Sequence, residues 1–397
     1  MAADVDDGAS RACAQCLRRS WLLAELSAVL DYSCSADGRL VQLLALDDEQ
    51  LMLAIGGRRR EELKRRHAGF ATGELRSVAG VAELCRHDRR YPRTLRRSDT
   101  PPLLHVAGGV ERLGRLAAGP VVAILGSRRA TDYGLEMASS LARGLAASGV
   151  TVASELCDGI ALASQQGALQ VDGATVTVMP GGIDVAASGR RRPLCERLRR
   201  SGCVVSELPC GSPARRWGTA AAQRTLVAMA AVTVVVEAED SPRELAAARI
   251  ARALGRPVAA VPGRVTSPLS GGSHALLLQG ARLIRGAADV LDLLYGARRA
   301  ACAPEAAASP WAGLTPRLKA TLEKVGAGMD TPGKLIGEHD DRGELLLALS
   351  KLELMGLLAR GHGGRYLPRD PLPPKSCSPL VQRAHRRSIG GIATRGR

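Results

Sequence analysis

Short apolar runs alternate with helical patterns through the middle of the chain. The run Val121–Leu125 consists of β-type residues, and Gly126 follows it directly. Beyond a polar loop, Leu135, Leu141 and Leu145 belong to a helical repeat that Gly149 is positioned to end. The pattern predicts a strand, a glycine turn and a helix, which together open a Rossmann-like sheet. Such a turn directs backbone N–H groups and the positive end of the helix toward an anion.

Five further apolar runs follow at 150–153, 174–179, 203–206, 232–237 and 257–262, with helical stretches between them. This alternation predicts an α/β protein whose sheet is largely parallel. An additional run at 103–108 is expected to form an edge strand just before the main sheet. Parallel sheets bind ligands at the carboxyl ends of their strands. Polar and glycine residues occupy those ends here, namely Gly126, Ser127, Arg128, Ser154, Gly159, Gly182, Asp184, Glu207, Glu237 and Gly263.

Different patterns flank this core. Leucine-rich helical segments precede it. An Ala/Arg/Pro-rich stretch follows it, and after that stretch come three predicted helices and a hairpin. Three helices followed by a hairpin are the pattern of a winged helix. We therefore predict a disordered start (1–15), a small helical domain of the SAM or helix-hairpin-helix type (16–80), a Rossmann-like core (81–296), a linker (297–309), a C-terminal winged helix (310–368) and a basic disordered tail (369–397).

The charge of the chain changes the functional expectation. A formal charge of +16 in 397 residues favours a polyanionic partner, most simply nucleic acid. Only 2% of residues are aromatic, so few side chains can stack on bases and binding is expected to use the phosphate backbone. The sequence has no GxGxxG motif and no acidic residue closing the second strand, which argues against a dinucleotide dehydrogenase.

Cysteine usage and hydropathy bear on metal, compartment and membrane. Ten cysteines are scattered along the chain, and Cys13 and Cys16 form its one CxxC. Because no second pair accompanies it, we predict reduced thiols, a cytoplasmic location, and neither a metal site nor a cofactor. No uninterrupted apolar stretch approaches the length of a membrane span, so no membrane insertion is expected.

The order of several short motifs resembles the DNA-processing protein A family (DprA/Smf) over roughly residues 88–294. The motifs are YPxxL…PPLL, GSRxxTxYG, SxxxxGI…GAL, GGxD, SELPxG, VVVEA, GRPVxAVPG and LxxGA. The resemblance implies a Rossmann-like core that binds single-stranded DNA in a basic cleft as a homodimer. It also implies handover of that strand to the RecA recombinase in natural transformation, with no established catalytic reaction and no catalytic residue.

The resemblance also assigns residues. Arg224 matches the second arginine of the family's FPxRNR segment, and Arg192 falls near a family basic residue that contacts DNA. The basic insert around it contributes Arg190 and Arg191. The candidate DNA- or phosphate-binding residues are Gly126, Ser127, Arg128, Ser154, Gly159, Gly182, Asp184, Arg190, Arg191, Arg192, Arg224, Glu237 and Gly263, with Arg128 as the central phosphate ligand.

Several positions depart from the family pattern. Glu155 replaces a glycine, Ala161 an aspartate, Gln165 a histidine and Ala222 an arginine. A carboxylate at position 155 would repel a nearby phosphate by about 1 kcal/mol or more, or would pair with Arg128. Either the pocket has changed toward another ligand or the rim arginines compensate.

Two alternative functions therefore stay open. One is a Rossmann-type nucleotide-binding protein or a phosphoribohydrolase-like enzyme, since Pro180 to Asp184 (PGGID) resembles the start of the PGGxGTxxE motif while lacking its remainder. The other is a degenerate scaffold that docks proteins through its winged helix.

Overall fold

The computed structural model describes residues 12–33, 39–96, 101–186, 192–296, 314–326, 329–336, 341–360 and 364–368. The chain divides into two compact units, Met1–Ala306 and Ala307–Arg397. The predicted linker at 297–309, the predicted tail at 369–397 and the arginines Arg190 and Arg191 lie outside the described residues. No helix in the described ranges is both long and apolar enough to cross a membrane.

A nine-stranded sheet forms the centre of the first unit. Its strands are β1 (Val81–Cys85), β2 (Leu103–Ala107), β3 (Val121–Leu125), β4 (Thr151–Glu155), β5 (Thr175–Met179), β6 (Cys203–Ser206), β7 (Val232–Val235), β8 (Val258–Ala260) and β9 (Arg282–Leu283). They lie in the order β1-β2-β6-β5-β4-β3-β7-β8-β9. Strands β3 to β9 are mutually parallel, whereas β2 is antiparallel to both of its neighbours. The prediction of an α/β fold with a largely parallel sheet is confirmed.

Helices cover both faces of this sheet. They are α6 (Val110–Ala118), α7 (Asp132–Ala147), α8 (Ile160–Leu169), α9 (Ile183–Ala186), α10 (Arg192–Ser201), α11 (Arg216–Met229), α12 (Ala246–Ala253), α13 (Gly271–Leu278) and α14 (Ala287–Tyr295). Successive residues of β3 belong to different clusters, with Val121 and Ala123 on one side and Val122 and Ile124 on the other. Because alternate side chains point to opposite faces, a strand covered on both faces has no polar position, which explains its continuous apolar run.

The edge of the sheet differs from the sequence prediction. The run at 103–108 does form a strand, β2, but it lies between β1 and β6, and β1 is the edge strand. All five residues of β2 are buried, while three of the five in β1 are only partly buried. The prediction of an edge strand at 103–108 is therefore wrong, because the sequence VAELC of β1 alternates too weakly to be recognised as a strand.

Among the described residues, five α-helices precede the sheet: α1 (Ala14–Glu25), α2 (Ser27–Ser33), α3 (Arg39–Ala45), α4 (Asp48–Ile55) and α5 (Arg60–Ala68). Since α1 begins at Ala14, the prediction of a disordered start is wrong for residues 14 and 15. Leu17 and Trp21 share a hydrophobic cluster with Leu208 and Trp217 of the sheet region. The indole N–H of Trp217 donates to Ser27 Oγ at 2.7 Å. The helices thus pack directly on the core, within the same compact unit.

The described part of the second unit contains α15 (Pro316–Gly326), α16 (Pro332–Leu335), α17 (Arg342–Leu354) and the antiparallel pair β10 (Leu358–Arg360) and β11 (Tyr366–Pro368). It has its own apolar cluster, which includes Leu322, Leu349, Leu358 and Tyr366. The predicted order of three helices and a hairpin is present among the described residues. Its assignment as a winged helix stays a prediction.

Candidate functional site

The loop after β3 brings three neighbouring strand ends into contact. The N–H of Ser127 donates to the carbonyl of Glu237, after β7, at 2.6 Å, and the N–H of Ile160 donates to the carbonyl of Ser127 at 3.2 Å. A Cβ on Gly126 would lie 2.5 Å from the same Glu237 carbonyl, so only glycine permits this approach. The loop is therefore held rigidly at the carboxyl edge of the sheet, where ligands of parallel sheets bind.

Glu237 fills the position where the sequence analysis placed a phosphate. Its carboxylate accepts from the Thr131 N–H at 2.8 Å and from the Thr131 hydroxyl at 2.7 Å, directly before α7. Thr131 is the N-cap of this helix, and its own hydroxyl oxygen accepts from Gly134 N–H at 3.2 Å. The favourable interaction of an anion with the helix N-terminus is thus made by the protein's own carboxylate. An external phosphate at this edge would be held by side chains instead.

Arg128 presents its guanidinium to solvent from this rigid loop. Its side chain is exposed and has no hydrogen bond or ion pair within the described ranges of the chain. Its backbone is closely packed, because a Cβ on Gly159 would lie 2.8 Å from Arg128 Cα, and Gly159 has a φ of +80° that favours glycine. The neighbouring N–H of Arg129 donates to Ser127 Oγ at 3.2 Å. The result, among the residues that the structure describes, is an unpaired cation on a fixed support.

Glu155 is the last residue of β4, so the expectation that no acidic residue closes this strand is wrong. Its side chain is buried and forms no ion pair with Arg128 within 4.0 Å among the described residues. The Cys157 thiol donates to its carboxylate at 3.6 Å. Burial raises the pKa of Glu155, and the Cys157 thiol, Gln223 and the charge of Arg128 only partly oppose that rise. Glu155 therefore influences Arg128 through its charge state and does not hold it by direct contact.

Asp184 and Gly182 join the loops after β5 and β6. The Gly182 N–H donates to the Ser212 carbonyl at 2.8 Å, and Asp184 Oδ1 accepts from the Gly211 N–H at 2.8 Å. The other oxygen of Asp184 lies 3.7 Å from Nε of Arg76, whose side chain is largely exposed. These two predicted site residues connect two loops at the edge of the sheet, and the Asp184 carboxylate lies beside the Arg76 guanidinium.

Two other predicted residues point inward. Arg224 is buried and its Nη2 lies 2.8 Å from Glu207 Oε2, while the Thr225 hydroxyl donates to the other Glu207 oxygen. Ser154 is fully buried, with its hydroxyl donating to the Ile124 carbonyl at 2.7 Å. Neither side chain points out of the sheet edge where a ligand would bind. A direct DNA contact by Arg224 is therefore not supported by this geometry.

The last two predicted residues lie at the margins. Arg192 begins α10, is exposed and pairs with Glu196 on the same helix at 3.0 Å. The carbonyl of Gly263, after β8, lies 3.2 Å from Nε2 of His274 on α13. Neither residue is brought into contact with Arg128.

Sequence reasoning missed several exposed arginines at the same edge. Arg129, Arg216, Arg243 and Arg264 all follow parallel strands, and all are exposed. Within the described ranges their guanidinium groups carry no hydrogen bond or ion pair. Their common signal was their position in the segment between a strand and the next helix or in that helix's first turn, which becomes informative once the strands are known to be parallel.

Comparisons with known proteins agree with this architecture. Residues 83–295 match the family model for DNA recombination-mediator protein A. The chain belongs to this family. Protein Smf of Escherichia coli is 30% identical over 284 residues, which cover 69% of this chain and 73% of Smf. A putative DNA processing protein DprA of Mycobacterium tuberculosis is 35% identical over 250 residues, covering 63% of this chain and 61% of that protein.

The fold comparison leads to the same family. The X-ray structure of DNA processing protein A from Streptococcus pneumoniae superposes with a TM-score of 0.56 and 26% identity, covering 70% of this chain and 95% of that one. The recombination-mediator family match includes β3 to β9 and all the carboxyl-edge loops, so the candidate site lies wholly within it.

The departures from the family pattern occur inside the protein. Ala161 and Ala222 are almost fully buried, and Gln165 is fully buried. The Gln165 amide donates to the carbonyls of Ser154 and Val176 at 3.4 Å each, and Thr175 donates to its side-chain oxygen. These substituted side chains lie in the interior, whereas the arginines named above are exposed.

Proposed function

We propose that this protein binds single-stranded DNA through arginine–phosphate contacts at the carboxyl edge of the sheet, with Arg128 as the central ligand. The observation that carries the proposal is the exposed guanidinium of Arg128, unpaired within the described residues, on a backbone fixed by Glu237 and Gly159. A guanidinium presented in this way can grip a phosphate with two parallel hydrogen bonds, and little conformational freedom of the loop is lost on binding.

Further arginines extend the basic surface along the same edge. Arg129, Arg216 and Arg264 follow β3, β6 and β8. Strand β1 runs parallel to β6, so the segment after β1 lies at this edge too. There Arg89, Arg93 and Arg96 line one open recess. Such a row of cations suits a phosphate backbone better than a single small anion, because each contact adds affinity without reading a base.

The family match supports a role as a recombination mediator, in which the bound strand is protected and passed to the RecA recombinase. A homodimer formed through the core would lengthen the basic surface. We assign no catalytic reaction, since a role of this kind requires contacts that hold a strand and no activated nucleophile. A nucleotide-binding role is disfavoured, because Glu237 occupies the helix N-terminus where a nucleotide phosphate would bind.

The test is fluorescence anisotropy of a labelled oligo-dT and of a duplex, each at several salt concentrations. We expect tighter binding of the single strand and an affinity that falls steeply with salt. Arg128→Ala should weaken binding by about tenfold to hundredfold, because it removes one charge-assisted contact of about 1.5–3 kcal/mol. The slope of log affinity against log salt should decrease in magnitude by about one.

Arg115→Ala is the matched control. Arg115 is exposed on α6. This helix connects the end of β2 to the start of β3 and therefore lies at the amino edge of the parallel strands. Consistent with this position, the charge of Arg115 affects the pKa of the Cys203 thiol at the start of β6. The Arg115→Ala substitution removes the same charge from the opposite edge and should change the affinity for oligo-dT little. Equal losses in the two variants would show that net charge, and no site at the carboxyl edge, governs binding. Equal affinity for single strand and duplex would refute the preference itself.

A further inference from the structure

Four potential metal ligands from distant parts of the sequence converge beside the N-terminal helices. They are Cys13, Cys16, Cys85 and His87, and their three Sγ atoms and one imidazole nitrogen all lie within 4.8 Å of one another. From His87 Nδ1 the sulfur atoms are 3.3 Å (Cys13), 3.5 Å (Cys16) and 4.0 Å (Cys85) away. We call these four residues the thiol–imidazole cluster. None of the four belongs to the candidate DNA-binding residues named above.

The distances match the edges of a coordination tetrahedron. Zinc binds thiolate sulfur at about 2.3 Å and imidazole nitrogen at about 2.0–2.1 Å, so sulfur and nitrogen ligands of one tetrahedral ion stand about 3.6 Å apart. The three measured separations fall on either side of this value. Ordinary hydrogen bonding explains them less well, because a ring nitrogen carries either one proton or one lone pair and cannot bond three thiols equally.

Local structure directs the ligands toward one point. Cys13 is the N-cap of α1 in an extended conformation, and Cys16 lies in the first turn, so both thiols are at the helix N-terminus. That end of a helix favours thiolates. Cys85 is the last residue of β1, paired with Leu103 of β2, and the turn that follows is closed by the Asp88 N–H donating to the Cys85 carbonyl at 2.9 Å. His87 lies within this turn.

We propose that the thiol–imidazole cluster binds one structural zinc ion. Three thiolates and one imidazole form a closed Cys₃His site, the set that tetrahedral structural zinc takes, and leave no position open for a substrate. Soft sulfur ligands discriminate against magnesium and calcium. Cys16 and Cys85 are buried, whereas Cys13 and His87 are more accessible, so the ion would lie just below the surface with a route of entry.

The ion would connect two elements that lie far apart in the sequence. Cys16 and His87 are 71 residues apart in sequence. Cys16 and Cys85 also belong to the hydrophobic cluster that joins the N-terminal helices to the sheet. Zinc would therefore fasten the start of α1 to the edge strand β1 and to the turn that leads into Arg89 and Arg93. The sequence analysis missed the site because the second pair, Cys85 and His87, has a spacing of only one residue and lies far from the CxxC.

The first test is metal analysis of the full chain purified in chelator-free buffer. We expect about one zinc per chain by plasma mass spectrometry. Zinc removed by a chelator and replaced with Co²⁺ should give the visible absorption of a tetrahedral site with thiolate-to-cobalt charge transfer. Zinc below about one fifth per chain, iron with inorganic sulfide in its place, or a Cys13–Cys16 disulfide found under non-reducing conditions would overturn the proposal.

Variants separate ligation from folding. Cys16→Ser and His87→Ala should reduce bound zinc at least fivefold, while Cys210→Ser, which removes a buried thiol outside the cluster, should leave it unchanged. His87→Cys should retain zinc, because a Cys₄ site is also tetrahedral, and should shift the cobalt spectrum toward that of four thiolates. Since His87 is exposed, its variants should remain folded. Equal zinc content in His87→Ala and the parent would refute the assignment of His87 as a ligand.

Discussion

Replacement of Glu237 by glutamine tests whether the start of α7 depends on the protein's own carboxylate. Glu237 is 2% exposed and accepts two hydrogen bonds, from the N–H and the hydroxyl of Thr131, at 2.8 and 2.7 Å. Glutamine keeps the shape but has one acceptor oxygen. Its amide nitrogen must therefore face one of the two donors, and that charge-assisted bond is lost.

The expected loss follows from the contacts. One hydrogen bond to a charged group contributes about 1.5–3 kcal/mol, and the interaction of a carboxylate with a helix N-terminus adds about 0.3–1 kcal/mol. The neutral amide is easier to bury than the carboxylate, which offsets part of this loss. We expect the free energy of unfolding to decrease by about 1–3 kcal/mol in net terms.

Urea unfolding of the parent and of Glu237→Gln measures this difference as a lower midpoint with an unchanged m value. Glu239→Gln, an exposed glutamate two residues further along the same loop, is the matched control and should leave the midpoint unchanged. A Glu237→Gln protein as stable as its parent would show that Glu237 does not cap α7. A strong gain in phosphate or nucleotide affinity in that variant would show that the N-terminus of α7 can bind an external anion.

Two further predictions concern the pocket and the second unit. Burial raises the pKa of Glu155 above its ordinary value of 4.5, so the folded state holds this proton more tightly than the unfolded state. Stability of the parent should therefore fall as the pH rises from about 4.5 through the higher folded-state pKa. Glu155→Gln does not titrate, and urea unfolding at several pH values should show its advantage growing over that window; an advantage independent of pH would contradict the reasoning. A chain ended after Ala306, the boundary of the first compact unit, should keep most of its affinity for oligo-dT in the anisotropy assay. Loss of nearly all affinity would place the DNA site in the second unit.

Local patterns were sufficient to predict the central strands. The runs at 121–125 and 203–206 became β3 and β6 with the same bounds, and the helical repeat after Thr131 became α7. Burial on both faces makes every position of such a strand apolar, and this signal needs no knowledge of neighbouring strands. The position of Arg128 at a strand end was predictable for the same reason, because it lies three residues beyond the last apolar residue.

Contacts between distant segments were decided only by the tertiary structure. Nothing local in Arg224 indicates that Glu207 will neutralise it, and nothing in Glu237 indicates that it will cap a helix more than one hundred residues earlier. The same holds for Cys85 and His87 meeting the CxxC of α1. Sequence periodicity reports how each segment is buried, whereas partner choice depends on the order of strands in the sheet. The sequence by itself therefore determined the central strands and the largely parallel character of the sheet. The order of strands in the sheet decided which charged side chains, and which of the four proposed zinc ligands, come together among the described residues.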